Sequence, residues 1–289
     1  MRRAAIDIGT NSCRLLIVDA DEGRYHVIRR ELCSTRLGQG VDARRVLAPE
    51  AIGRTITCLQ EFKQIMEENR VVWSRAVATS AVRDAINREE FLAIVRRECG
   101  MKVEVIDGEQ EAALSYRGVN CGLPLNDPPL VVDLGGGSCE FILSTDEVNW
   151  SISLPLGAVR ATEAAYSPAD IELILSPLSP YRDRLANCPV VFVGGTATTL
   201  VAVQLALPEY DTRMVHGQRL SLAEIQEVYE LLQGLSIKER QRLPGLQPER
   251  ADIISAGALI VLEIMKFLSC GQITVSESDI LDGIITEGF

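Results

Sequence analysis

Ala5-Ile-Asp7-Ile-Gly9-Thr-Asn-Ser12-Cys13 returns, at a constant offset of 126, as Val131-Val-Asp133-Leu-Gly135-Gly-Gly-Ser138-Cys139. Asp7 matches Asp133, Gly9 matches Gly135, Ser12 matches Ser138 and Cys13 matches Cys139. Each copy reads as strand, aspartate, glycine turn, strand. An aspartate that ends a buried strand points into the turn that follows. Glycine lets backbone approach a phosphate, and successive N–H groups with a Ser or Thr hydroxyl form an anion cradle. The carboxylate repels phosphate unless a cation lies between them, which implies a hydrated Mg²⁺. One glycine hairpin would be weak evidence. Two in register predict a duplicated fold, with two phosphate loops facing a cleft of the kind where ligands bind.

Outward from these loops the chain alternates strands and helices, the pattern of an α/β protein. Strands are expected at Ala4–Ile8, Leu15–Asp19, Tyr25–Leu32, Arg75–Ala78 and Val103–Ile106. Apolar residues at helical spacing predict a helix from Pro49 to about Glu68. Asn87-x-x-Glu90 reads as a capping box that starts a helix ending near Cys99. Another helix is expected from Gly108 to about Val119, followed by the linker Gly122-Leu-Pro-Leu-Asn-Asp-Pro-Pro129. Strands then follow at Leu130–Leu134, Cys139–Ser144 and Val190–Val193, the last running into Gly194-Gly195-Thr196 and a helix. Ser221-Leu-Ala-Glu224 caps a further helix, Glu249–Phe267 reads as one long apolar helix, and Ile273–Val275 and Ile280–Ile285 close the chain.

The composition, 47% hydrophobic and 24% charged over 289 residues, is that of an ordinary globular protein with room for two domains. No apolar run is long enough for a membrane span. Met1-Arg2-Arg3-Ala4-Ala5-Ile6-Asp7 lacks the apolar stretch of a signal peptide, so a cytoplasmic location is expected. Eight cysteines without a C-x-x-C pair and two histidines argue against zinc, and fit reduced, mostly buried thiols. The net charge of −11 argues against nucleic acid as a partner. That charge is uneven: residues 1–110 hold 18 bases and 17 acids, whereas residues 111–289 hold 11 and 23. A polyanion would therefore rely on local bases of the first half, where arginine pairs stand at Arg2-Arg3, Arg29-Arg30, Arg44-Arg45 and Arg96-Arg97.

With these residues in hand, the chain resembles the exopolyphosphatase / guanosine pentaphosphate phosphohydrolase family of the actin, hexokinase and heat-shock ATPase superfamily. The resemblance runs through Asp7-Ile-Gly-Thr-Asn-Ser12 with Arg14, and Ala78-Thr-Ser-Ala-Val-Arg83-Asp-Ala-Ile-Asn87. It continues through Glu109-Gln-Glu111-Ala112, Asp133-Leu-Gly-Gly-Gly-Ser138-Cys-Glu140, Gly194-Gly-Thr196, Pro244-Gly-Leu246 and Glu249-Arg-Ala-Asp252. It implies two ribonuclease-H-like, actin-like ATPase domains with an interdomain cleft: residues 1–122 plus about 276–289, and residues 123–275. Longer family members add a C-terminal helical domain; the likeness here is to the short two-domain form.

The resemblance carries the catalytic glutamate to Glu111, the second carboxylate of a Ser-Gly-x-Glu-Glu-Ala segment that reads Asp107-Gly108-Glu109-Gln110-Glu111-Ala112 here. Glu111 would deprotonate the attacking water. Arg83 would neutralise a phosphate oxygen in the transition state. Gly9, Thr10, Asn11, Ser12 and Arg14, then Gly135, Gly136, Gly137 and Ser138, then Gly195 and Thr196, are the phosphate-binding candidates. Asp133, Asp7 and Glu140 are the candidates for Mg²⁺. Near the C-terminus, Asp279-Ile-Leu281-Asp282-Gly283 departs from the family's Gly-Leu-Arg-Glu-Gly. The expected activity is Mg²⁺-dependent release of terminal phosphate from inorganic polyphosphate. The alternatives are hydrolysis of pppGpp, or an ATP-dependent kinase or nucleotide switch. A homodimer stays open.

Overall fold

A computed structural model of the chain describes residues 1–21, 24–144 and 149–287, without the side chains of Asp42, Ala43 and Asn149. Two compact units emerge: Met1–Cys121 with Ile280–Phe289, and Gly122–Asp279.

In the first unit β1 (Arg2–Ile8), β2 (Cys13–Asp21) and β3 (Arg24–Cys33) form an antiparallel ribbon. Then come α1 (Val41–Arg44), α2 (Pro49–Glu68), β4 (Trp73–Ala78), α3 (Ser80–Asp84), α4 (Arg88–Cys99), β5 (Val103–Val105) and α5 (Gly108–Gly122). The strands order as β3-β2-β1-β4-β5, with β4 parallel to both β1 and β5. Proline at the first position of α2 costs no hydrogen bond, because that N–H is an orphan in any helix. The apolar stripe Ile52, Ile56, Leu59, Phe62 and Met66 lies in one core with Phe91 and Val95 of α4 and Ala4, Ile6, Leu15 and Ile17 of the sheet.

Asn87 does precede α4, but it does not cap it. Its side chain accepts from the Leu47 N–H at 2.9 Å and donates to the Leu47 carbonyl at 3.1 Å. Leu47 is fully buried, so its backbone groups need such a partner. The helix α5 outlasts its expected end by a turn, and Gly118 and Val119 are buried within it.

The second unit holds β6 (Leu130–Leu134), β7 (Cys139–Ser144), β8 (Asn149–Leu154), α6 (Ala158–Ala164), α7 (Pro168–Leu175) and α8 (Arg182–Leu185). Next are β9 (Val190–Val193), α9 (Gly195–Gln204), α10 (Thr212–Val215), β10 (Arg219–Ser221), α11 (Leu222–Gly234) and α12 (Ile237–Arg240). The 3-10 turn Pro248–Arg250, α13 (Ile254–Phe267) and β11 (Gln272–Val275) complete it. The sheet orders as β8-β7-β6-β9-β11-β10. Its first five strands repeat the first unit in order and in sense: an antiparallel ribbon, then two parallel strands. The duplication read from two short motifs is thus a duplication of topology. The chain is α/β with two sheets.

Ser221 caps α11 as expected, its hydroxyl accepting from Glu224 N–H while the Glu224 carboxylate accepts from Ser221 N–H at 2.7 Å. The long helix expected from Glu249 begins only at Ile254. Before it, Pro248 opens a tight turn of i→i+3 bonds, Ala251 N–H to Pro248 O and Ile253 N–H to Arg250 O. Finally α14 (Ile280–Thr286) returns to the first unit, where Leu281, Ile284 and Ile285 pack with Ala5, Leu16, Val18 and Leu114.

Candidate functional site

Both loops close the same way. Gly9 N–H donates to Ser12 O at 3.0 Å, and Gly135 N–H donates to Ser138 O at 3.0 Å. Their other carbonyls are drawn away by the segment that follows the third ribbon strand. In the first unit Gly38 N–H binds Thr10 O and Arg36 N–H binds Asn11 O, both at 2.8 Å. In the second, Val159 and Arg160 N–H bind Gly136 O, and the Arg160 side chain binds Gly137 O at 2.7 Å. A loop whose carbonyls are held on one side presents amides on the other, as an anion cradle requires. Asn11 is 8% exposed, and its buried side-chain Nδ2 meets no acceptor among the described residues. Thr10, Ser12 and Ser138 are buried hydroxyl residues of the same two loops.

Each supporting segment carries a Leu-Gly pair, Leu37-Gly38 and Leu156-Gly157. A Cβ on Gly38 would lie 2.2 Å from Thr10 Cγ2, and one on Gly157 would lie 2.3 Å from the Gly136 carbonyl. Glycine is required in both because the support presses against the loop. This second repeat escapes sequence reading, since two residues carry little weight until the strand order aligns them.

The first loop reaches the candidate base through α3. Thr10 Oγ1 and Ser80 Oγ are 2.8 Å apart, and one turn further along the same helix Arg83 pairs with Glu111, Nη1 to Oε2 at 2.8 Å. The same Nη1 donates to Ile106 O at 3.1 Å, which fixes the guanidinium against the entry to α5. Glu111 is 8% exposed in the first turn of α5. Gln110, the departure from the family segment, has a structural task. Its side chain accepts from Asp107 N–H at 3.2 Å, while Asp107 accepts from Gln110 N–H at 2.8 Å. That reciprocal cap sets the start of the helix and hence the place of Glu111.

The three carboxylates offered for a metal fare differently. Asp7 lies opposite Arg14 across β1 and β2, and Arg14 holds its Oδ2 with Nη2 at 2.7 Å and Nε at 3.0 Å. At the matching place of the second unit Asp133 lies opposite Glu140. Glu140 is fully buried and accepts the Ser153 hydroxyl at 2.7 Å. Among the described residues no three Asp, Glu, His or Cys side chains gather into a metal-holding group. Directly opposed residues put both carboxylates on one sheet face, and Mg²⁺ commonly takes one or two carboxylates, with water and phosphate completing its shell. Asp133 and Glu140 therefore fit a hydrated Mg²⁺ better than Asp7 does.

Gly194 has φ +94° at the start of α9, and a Cβ there would lie 2.7 Å from Leu134 O and 3.5 Å from the Asp133 carboxylate. Only glycine fits that backbone beside the second loop. Gly195 is overlain by the Arg250 guanidinium, whose Nη1 lies 2.0 Å from where a Cβ would be. Arg250 is buried, and its Nε donates to Gln247 Oε1 at 2.9 Å. It is a cation at a helix N-terminus beside a phosphate-type turn, and it was absent from the sequence-derived candidates although the segment Glu249-Arg-Ala-Asp252 signalled it. Thr196 is buried against Gly257 of α13. His216 bridges Gly122 O and the Glu277 N–H, a structural role.

Most of the arginine pairs are engaged. Arg2 pairs with Asp19, Arg29 with Glu31, Arg30 with Asp282 and Arg97 with Glu98, and Arg3 stacks over Trp73. Arg44 and Arg45 are exposed, and no carboxylate pairs with them among the described residues.

The chain has similar proteins of known family and known structure. Residues 16–288 match the model of the Ppx/GppA phosphatase family. The chain is 40% identical to Exopolyphosphatase 2 of Mycobacterium tuberculosis, across 98% of this chain and 97% of that protein. Among solved structures it is similar to the PPX-GPPA enzyme of Aquifex aeolicus, with 34% identity, TM-score 0.80 and 99% of each chain covered. It is also similar to an exopolyphosphatase from Cytophaga hutchinsonii, with 28% identity, TM-score 0.91, and 100% and 98% coverage.

Proposed function

Because the chain belongs to the Ppx/GppA phosphatase family and is a hydrolase of phosphoanhydride bonds, we propose that it releases terminal phosphate from inorganic polyphosphate in a Mg²⁺-dependent reaction. The observation that carries this reading is the Arg83–Glu111 pair, a buried carboxylate held by a guanidinium at 2.8 Å in the unit that bears the first loop. Hydrolysis of a phosphoanhydride needs a carboxylate to orient water and take its proton as the P–O bond breaks. Glu111 does this, with Arg83 fixing its direction and lending positive charge to the phosphoryl oxygens. The two loops and the start of α9 hold phosphates through backbone amides and the Thr10, Asn11, Ser12, Ser138 and Thr196 side chains. Asp133 and Glu140 would hold Mg²⁺, which supplies charge neutralisation on the phosphate when bound.

Polyphosphate is favoured over pppGpp because a repeating anion needs loops and arginines but no pocket for a base. The test is phosphate release from long-chain polyphosphate with Mg²⁺, beside pppGpp at equal concentration. Faster release from polyphosphate, abolished in Glu111→Gln, is expected. Faster release from pppGpp would reassign the substrate, and release from neither above the Glu111→Gln background would overturn the reading.

A further inference from the structure

Gly283, in the middle of α14, has no room for a side chain. A Cβ there would lie 1.9 Å from the Leu114 carbonyl oxygen and 2.7 Å from its carbonyl carbon. Both are backbone atoms of α5, and Leu114 stands one helical turn after Glu111. The closing helix of the chain thus rests directly on the backbone of the helix that carries the candidate base. Glycine is what permits so close an approach. Non-bonded heavy atoms sit best at about 3.5–4 Å, so an alanine methyl fits only if the two helices part by roughly 1 Å or more.

Of the two helices, α14 is the more firmly held. Leu281, Ile284 and Ile285 lie in one core with Ala5, Leu16 and Val18 of the sheet. Asp282 is fully buried, and its Oδ1 accepts from the Tyr25 hydroxyl at 2.6 Å and from Arg30 Nη2 at 2.8 Å, both on β3. A buried carboxylate that loses its partners is costly, so these contacts pin the helix to the ribbon. From α5, Leu114 alone joins that core among the described residues. The start of α5 is otherwise set by the Asp107–Gln110 cap and by the grip of Arg83 on Glu111 at 2.8 Å.

We propose that Gly283 is a positioning residue for the reaction. By letting α14 seat on Leu114 it sets the place of Glu111 relative to Arg83, and the Tyr25–Asp282–Arg30 contacts hold α14 in that seat. The proposal rests on the reading of Glu111 as the base. A methyl at position 283 pushes α5 aside and carries Glu111 with it. The glycine loops stand on other elements and keep their shape, so substrate binding is spared while turnover falls.

The experiment compares Gly283→Ala with the wild type for kcat and KM on polyphosphate and for hydrogen exchange of α5 peptides, then combines it with Glu111→Gln. A kcat lower by roughly 10²-fold is expected, the cost of misplacing a catalytic group by about 1 Å. KM should stay close to that of the wild type, and exchange should quicken over residues 107–118 but not in the sheet of the second unit. In the Glu111→Gln background Gly283→Ala should cost little more, because both changes act through one group. A residue that merely stabilised the fold would lower activity by the same factor in both backgrounds; that result, or an unchanged kcat, would overturn the proposal. Tyr25→Phe removes the 2.6 Å bond without adding an atom, and it carries the test if Gly283→Ala does not fold. It should give the same exchange pattern and a smaller loss of kcat that again vanishes beside Glu111→Gln; wild-type kcat and exchange would overturn the proposal. Wild-type turnover in Glu111→Gln would sink the underlying reading, whereas unchanged exchange in α5 would sink this inference alone, so the two fail separately.

Discussion

Glycine at two positions is a demand of the loops rather than of any turn. At Gly157 an added Cβ meets the Gly136 backbone at 2.3 Å, and at Gly38 it meets the Thr10 side chain. The first neighbour is backbone and cannot rotate aside; the second is a side-chain methyl, whose rotation gives up the Thr10–Ser80 hydrogen bond. Gly157→Ala should therefore cost more than Gly38→Ala, on the order of 1–3 kcal/mol of overpacking. Thermal unfolding followed by circular dichroism measures the difference; equal midpoints would show that the second loop yields as easily as the first. At this scale Asp7, Glu111, Arg83 and Asp133 could be named from their segments, because each stands in a motif. Arg250 could not be assigned a task, because its contact with Gly195 joins residues 55 positions apart. Nor could the Arg14 grip on Asp7 be foreseen, since it needs the β1–β2 register.

Among the elements, caps divide into those that work as written and one that does not. Ser221 and Glu224 form their box, and the hydrogen bonds from the Ser221 hydroxyl and N–H hold the Glu224 carboxyl below its ordinary pKa. A carboxyl lowered in the fold adds stability above its unfolded pKa and loses it as the pH falls through the folded value. Ser221→Ala should destabilise by about 1 kcal/mol near neutrality, and by less in acid. Urea unfolding at two pH values checks this; a gap that widens in acid would contradict it. Asn87→Ala should cost more, on the order of 1–3 kcal/mol, because it strips partners from buried Leu47. A loss of a few tenths, as for an ordinary surface cap, would show that water replaces the side chain. The strands around each loop and α2 were legible because their apolar spacing is regular over a whole element. By contrast, β8 and α6 to α8 are short pieces broken by turns and prolines, and only the Ser167-Pro-Ala-Asp170 box of α7 marks them. The Asn87 box misled because the same residue pattern serves a long-range bond.

For the whole molecule, duplication gives each unit a glycine loop of the same form, but the residues opposite the loop aspartates have diverged. One unit carries Asp7 with Arg14, the other Asp133 with Glu140. The first pair is neutral in sum and the second is doubly acidic, so metal dependence should reside in the second unit. Asp133→Ala should raise the Mg²⁺ concentration for half-maximal activity, whereas Arg14→Ala should not; a titration in which the two behave alike would remove that distinction. Arg44 and Arg45 are adjacent exposed bases without an ion pair among the described residues. Replacing both with alanine should weaken binding of long chains while sparing short ones, and equal effects on both lengths would place recognition wholly in the loops. The proposed role of Glu111 is that of the base on polyphosphate. Its most direct test is Glu111→Gln, nearly isosteric, measured for turnover and for equilibrium binding of polyphosphate on the same preparation. kcat should fall by roughly 10²- to 10⁴-fold with Kd close to that of the wild type; an unchanged kcat would rule out Glu111 as the base.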